Sequence, residues 1–120
     1  MAATATHSTS DLAPHLPILV LTHLPDRDAA MTLARTLVTG RLAACVNVGA
    51  PVESMYHWQG QIETAQEVPL TIKTRAALFP RVEAAIRDSH PYELPEIIAV
   101  PVSDGSRSYL DWLDAETATR

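Results

Sequence analysis

Few side chains in this sequence suit chemistry, and they are spread out. The densest group is HPYELPEI, His90 to Ile97. It holds an imidazole, a phenol, two carboxylates and two prolines in eight positions. His90 has the right side chain for a metal ligand or an acid–base group. Cys45, in AACVN, is the only cysteine, and its soft sulfur suits copper(I) better than a hard cation. Glu67 and Lys73 add a carboxylate and an ammonium. The chain has eight arginines and one lysine, so Lys73 stands where a compact ammonium is wanted and a guanidinium will not serve, or stands there by chance. In a regular strand Glu63, Glu67 and Lys73 share a side, with Pro69 between them as a possible disturbance of the alternation. Five large aromatic side chains accompany them: Tyr56, Trp58, Tyr92, Tyr109 and Trp112.

Each of these residues has a plain reading beside the chemical one. Pro91 disfavours helical backbone at His90, so His90 ends a helix, and its ring either meets the last helical carbonyls or is a functional group. Cys45 is either a small apolar filler or a ligand. The aromatic residues pack at a subunit contact or line a ligand pocket. His7 and His15 lie in or next to the N-terminal tail, and His23 and His57 read as exposed polar positions. No pair of ligands has zinc-site spacing, such as His-x-x-x-His on a helix, so a metal site has to be assembled from distant segments or between chains. No Gly-x-Ser-x-Gly elbow and no glycine-rich phosphate loop occurs. An enzyme using His90 and Glu67 as acid and base lacks any feature that fixes a substrate, so the chain is not expected to be an enzyme.

The elements that must position these residues follow from periodicity. PILVLTHL (17–24) is a short apolar run with β-branched residues, as in a strand buried on both faces. Asp26 offers an N-cap. Ala30, Leu33, Ala34, Leu37 and Val38 then follow at helical spacing up to Gly40. Residues 41–75 have strand composition on both sides of WQGQ, with Gln59-Gly60 as a tight turn and Gly49-Ala50-Pro51 as a bulge or kink. Arms of roughly 15 residues exceed the usual strand of about 5–6. A hairpin that long overshoots the core, and another copy of the chain is the simplest cover for its tip. A second helix spans 77–88, with Pro80 in its first turn. A strand follows in 96–104, and a C-terminal helix in 106–116. The order βαββαβ plus a terminal helix predicts an α+β, ferredoxin-like sandwich: an antiparallel sheet with two helices on one face. Residues 1–15 read as a disordered tail and 16–115 as one domain.

Composition narrows the function. The chain has 120 residues, a 47% apolar content and a formal charge of −5. The basic residues are scattered singly, which speaks against nucleic acid and against an anionic membrane surface. One cysteine allows no intrachain disulfide. The N-terminus lacks a basic and an apolar signal region, and LPILVL is far too short for a membrane span, so a cytoplasmic location is expected.

Several spaced motifs resemble one family. AACVN (43–47), SMYHWQGQIE (54–63), EVPLTIKT (67–74), HPYELPEIIAVPV (90–102) and YLDWL (109–113) look like the divalent-cation tolerance (CutA) family, in order and with matching gaps from about Ile18 to Leu113. The resemblance implies a tight homotrimer of ferredoxin-like subunits whose long hairpins join sheets across subunits. It also implies a role in copper or other divalent-metal tolerance, with copper binding. Carried over residue by residue, Cys45 and His90 match the family's metal-associated cysteine and histidine. Trp58 matches its hairpin tryptophan, and Glu67 and Lys73 match its charged pair. Some copper-binding members have a cysteine where Thr22 stands and a histidine where Ser89 stands. A second possibility is a trimeric small-molecule sensor resembling nitrogen-regulatory PII proteins, with Trp58, Glu67 and Lys73 lining a cleft between subunits.

Overall fold

The computed structural model describes residues 8–117. β1 (Pro17–Leu24) alternates between fully buried and half-buried positions, with Ile18, Val20, Thr22 and Leu24 inward. Such alternation sends neighbouring side chains to opposite faces. α1 (Arg27–Thr39) starts at Asp26, whose carboxylate accepts from the Ala29 amide at 2.8 Å. That bond satisfies one of the donors left over at a helix start. Gly40 closes the helix, and α1 buries Ala30, Leu33, Ala34 and Leu37 against the sheet.

The long hairpin follows. β2 (Cys45–Val48) and β3 (Val52–Trp58) both pair with β4 (Gln61–Arg75), antiparallel. Val48 faces Leu70 and Val52 faces Glu67. Three residues on one side therefore span two on the other, which is a bulge. The bulge sits at the expected Gly49-Ala50-Pro51. The Gly49 amide donates to the Pro69 carbonyl at 2.9 Å, and a Cβ on Gly49 would lie 2.9 Å from the Pro69 ring. Close approach, rather than a left-handed backbone, requires glycine there. At the tip, Gln59 and Gly60 have φ of 50° and 79°. Two consecutive positive φ angles make the turn type I′, whose twist matches that of the flanking strands.

α2 (Phe79–Ser89) enters through a 3-10 turn at Ala76–Leu78 and has its proline at the start, where a missing amide costs nothing. It buries Val82 and Ile86. β5 (Ile98–Pro101) is only four residues long and pairs with β1, and α3 (Arg107–Glu116) ends the described chain. The sheet order is β2-β4-β1-β5, with β3 continuing alongside β4. This is the expected ferredoxin-like βαββαβ topology with its second strand split by the bulge.

The core lies between the helices and the even-numbered side of β1 and β4, where Val68, Leu70, Ile72 and Thr74 face inward. The odd-numbered side is covered mainly at one end, by α3. There the buried Arg75 donates from Nε to the Thr117 carbonyl at 3.2 Å, and Asp114 holds His15 Nδ1 at 2.8 Å. The rest of that face shows the cross-strand pairs Leu19–Val100 and Leu21–Ile98, with Ile98 and Val100 exposed. Beyond Val68, β4 leaves β1 behind, and residues 61–67 pair, among the described residues, only with β3. The result is a two-stranded ribbon that carries exposed Met55, Tyr56 and Ile62.

The N-terminal segment departs in part from the disordered tail expected over 1–15. Residues 1–7 lie outside the described residues. From Ser8 the chain makes a 3-10 turn at Thr9–Asp11 and runs back along the start of β1, with the Ala77 amide donating to the Pro14 carbonyl. Leu12 and Leu16 pack on the core. Two leucines four residues apart amid small polar residues were too weak a pattern to reveal this.

Candidate functional site

His90 is the C-cap residue of α2 with extended backbone (φ −84°, ψ 130°), as Pro91 dictates. Its ring does not turn back to the helical carbonyls. Nε2 lies 2.6 Å from the carbonyl of His23, at the end of β1, and Nδ1 accepts from the Tyr92 amide at 3.2 Å. A carbonyl can only accept and an amide can only donate, so the geometry fits the neutral tautomer protonated on Nε2. Both ring nitrogens are thus engaged in clasping the 90–97 loop to the sheet. The ring also packs on Tyr92, with centroids 4.6 Å apart.

The other residues of HPYELPEI work from that anchor. Tyr92 and Glu67 line one cleft, and burial together with the neighbouring Glu67 carboxylate pushes the Tyr92 pKa up to about 12. Glu96 lies 3.1 Å from His23 Nδ1. His23, read from sequence as an exposed polar position, is half-buried and ion-paired when protonated. Glu96 and His23 were missed because their partners lie at opposite ends of the chain.

These contacts shape a cleft of ≈ 670 Å³ along one face of the ribbon. Tyr56, Trp58 and Glu67 form its floor, and Tyr92, Glu93 and Glu96 form its wall. The register explains the floor. Val52 faces Glu67, Ser54 faces Ala65 and Tyr56 faces Glu63, so even positions of β3 and odd positions of β4 share one side. A larger cleft of ≈ 790 Å³ beside β5 and the N-terminal turn is lined mostly by small and apolar residues, with Glu83 the only charged group among the described residues. Glu83 is already held by Arg87 at 3.1 Å, so the smaller cleft is the chemically richer one.

The remaining candidates lie elsewhere. Lys73 is on the same side of β4 as Glu67, but six residues away, roughly 20 Å along an extended strand. Its ammonium sits 5.9 Å from the centroid of the Tyr109 ring, a cation–π contact. Cys45 pairs with Lys73, and His90 is bonded at His23, whose partner is Pro69. Cys45 and His90 are therefore separated by about 13 Å along the strand direction and flank β4 on opposite sides. Among the described residues no three His, Cys, Asp or Glu side chains converge on a point that could hold a metal ion. Within one chain the donors do not fit a copper site: the thiol is distant and the imidazole has no lone pair to spare. Thr22 and Ser89 give no help, since Thr22 is wholly buried and the Ser89 hydroxyl donates to the Ala85 carbonyl at 3.2 Å.

An antiparallel ferredoxin-like sheet with one poorly covered face, a protruding two-stranded ribbon and a cleft along that ribbon defines a small α+β domain. Residues 18–116 match the CutA1 divalent ion tolerance protein family. The chain belongs to that family. It is 43% identical over 99 residues to a divalent-cation tolerance protein CutA of Thermus thermophilus, covering 82% of this chain and 96% of that one. The CutA of Homo sapiens is 39% identical over 109 residues, and the chloroplastic CutA 1 of Oryza sativa 37% over 110; the matches span 61% of each of those longer proteins. A solved Thermus thermophilus structure superposes with a TM-score of 0.84 at 42% identity, covering 86% of this chain and all of that one. An Archaeoglobus fulgidus structure described as a periplasmic divalent cation tolerance protein superposes with a TM-score of 0.83 at 33% identity, covering 86% of this chain and 100% of that one. No helix among the described residues is long and apolar enough to cross a membrane.

Proposed function

We propose that this chain is the subunit of a homotrimer that serves divalent-cation tolerance in the cytoplasm, as a binding protein rather than an enzyme. The observation that carries the assembly is the ribbon of β3 and β4 beyond Val68. Among the described residues it pairs with nothing else, and it exposes Met55 at 74% and Ile62 at 60%. An isolated two-stranded ribbon is marginal in water, and its open edges invite pairing with another chain. The half-covered sheet face, with Ile98 and Val100, offers a second apolar surface for the same contact.

Tolerance to divalent cations enters through the names of the relatives. Copper or another divalent cation held by the assembly would draw donors from more than one subunit, with Cys45 the soft donor to test first. The nature of the His90 bonds makes that ring a structural clasp in this reading. Sedimentation of the purified chain at micromolar concentration tests the assembly; a mass near 13.0 kDa refutes it. Copper titration of wild type, Cys45→Ser and His90→Ala tests the metal. Tight binding abolished by Cys45→Ser supports it, and no binding in the micromolar range, or binding by Cys45→Ser equal to wild type, overturns it.

The cleft along the ribbon supports a second reading, an effector sensor. Its volume, ≈ 670 Å³, is that of a small-molecule site.

A further inference from the structure

The lining of the cleft is chemically one-sided. Three carboxylates face it, from Glu67, Glu93 and Glu96, and three aromatic rings, from Tyr56, Trp58 and Tyr92. Among the described residues no arginine or lysine lines it. Low-dielectric walls with charges of one sign focus the field into such a space. A nucleotide, phosphate or carboxylate would therefore meet repulsion and find no cationic donor.

A bare metal ion is equally ill served. Hard cations need about six oxygens at close range, and no three acidic or ligating side chains converge here among the described residues. The carboxylates stand around the space rather than at a point. The rings offer flat π-faces that attract a cation with an apolar body and weak hydration. The His90 clasp ties the loop that carries Tyr92 to the end of β1, so this wall is held in place before anything binds.

We infer that the cleft binds a small organic cation carrying an ammonium or guanidinium group, with its charged end at Glu67, Glu93 and Glu96 and its carbon chain against Tyr56 and Trp58. The inference deepens the effector-sensor reading and rests on it. It names the class of ligand, which neither the family description nor the relatives' names supply.

The test uses the full-length chain at low ionic strength, with agmatine as the probe. Trp112 lies on α3, away from the cleft, so Trp112→Phe leaves Trp58 as the only tryptophan and its emission reports the site. Saturable change with a midpoint below about 1 mM is expected. Glu67→Gln keeps an acceptor for Tyr92 but removes the charge, and the midpoint should rise at least about tenfold, as expected for losing a charged partner. N-butylacetamide, neutral and of similar length, should give no saturable response. Calorimetry on the unsubstituted protein repeats the measurement without Trp112→Phe.

No saturable response to agmatine overturns the inference, as does an equal response to the amide or an unchanged midpoint in Glu67→Gln. Thermal stabilisation by ATP with none by agmatine leaves an effector site standing but overturns its cationic class. Sedimentation of the same samples reads the assembly separately, so a trimer that binds no agmatine sinks only this inference.

Discussion

Thr22 and Thr74 make a matched pair for testing how this core is held. Both are threonines, both are fully buried, and both sit on the helix side of neighbouring strands. The Thr74 hydroxyl donates to the Leu42 carbonyl at 2.7 Å. The Thr22 hydroxyl has no hydrogen-bond partner among the described residues. A buried hydroxyl without a partner costs about 1–3 kcal/mol in lost hydration, while a made bond contributes about 1 kcal/mol. Valine has nearly the shape of threonine with a methyl in place of the hydroxyl. Thr22→Val should therefore stabilise the protein by about 1 kcal/mol or more, because it removes an unmet polar group and adds apolar contact. Thr74→Val should destabilise by about 1–2 kcal/mol, since it leaves the Leu42 carbonyl without its donor. Urea unfolding at one fixed protein concentration holds the assembly term constant. With a slope of about 1–3 kcal/mol per molar, a change of about 1 kcal/mol should move the two midpoints in opposite directions by roughly 0.3–1 M. Midpoints that move the same way, or a Thr22→Val variant less stable than wild type, would refute the reasoning.

Other perturbations follow from the hairpin and its cleft. Gly49→Ala places a Cβ 2.9 Å from the Pro69 ring and should cost about 1–3 kcal/mol by overpacking. Adding Pro69→Ala should recover much of that loss, and additive effects in a double-mutant cycle would rule out the close approach as the cause. Tyr92 should ionise near 12 rather than 10.0, because burial and the Glu67 carboxylate disfavour the phenolate. Its folded-state pKa is the higher one, so its contribution to stability is complete below pH 10.0 and is lost as the pH rises towards about 12. Ultraviolet titration against Tyr92→Phe checks the value. Glu67→Gln should lower it towards 10.0, and an unaltered titration would exclude the Glu67 contact.

Local patterns made much of the fold legible. The apolar run 17–24, the helix from Asp26 to Gly40 and the turn at Gln59-Gly60 each depend on residues within a few positions of one another. Period, cap and turn chemistry all act at that range, so these elements appear where the residues place them. The proline in the first turn of α2 and the kink at Gly49-Ala50-Pro51 follow the same logic. The spaced motifs from AACVN to YLDWL added the family.

The site was less legible, because it depends on contacts between distant segments. His90 stood out by its neighbours, and sequence could place it only at a helix end. The tertiary fold supplied the His23 carbonyl, 67 positions away, and so turned a candidate ligand into a clasp with both nitrogens engaged. Glu67 and Lys73 share a face by alternation, as the sequence suggested. The length of β4 sets them roughly 20 Å apart, Glu67 in the cleft and Lys73 over Tyr109. Sequence by itself determined the elements, their order and the apolar faces, because these are set by neighbours along the chain. Only the tertiary structure decided which of the scarce polar groups meet, because register, bulge and loop closure bring them together across the whole domain.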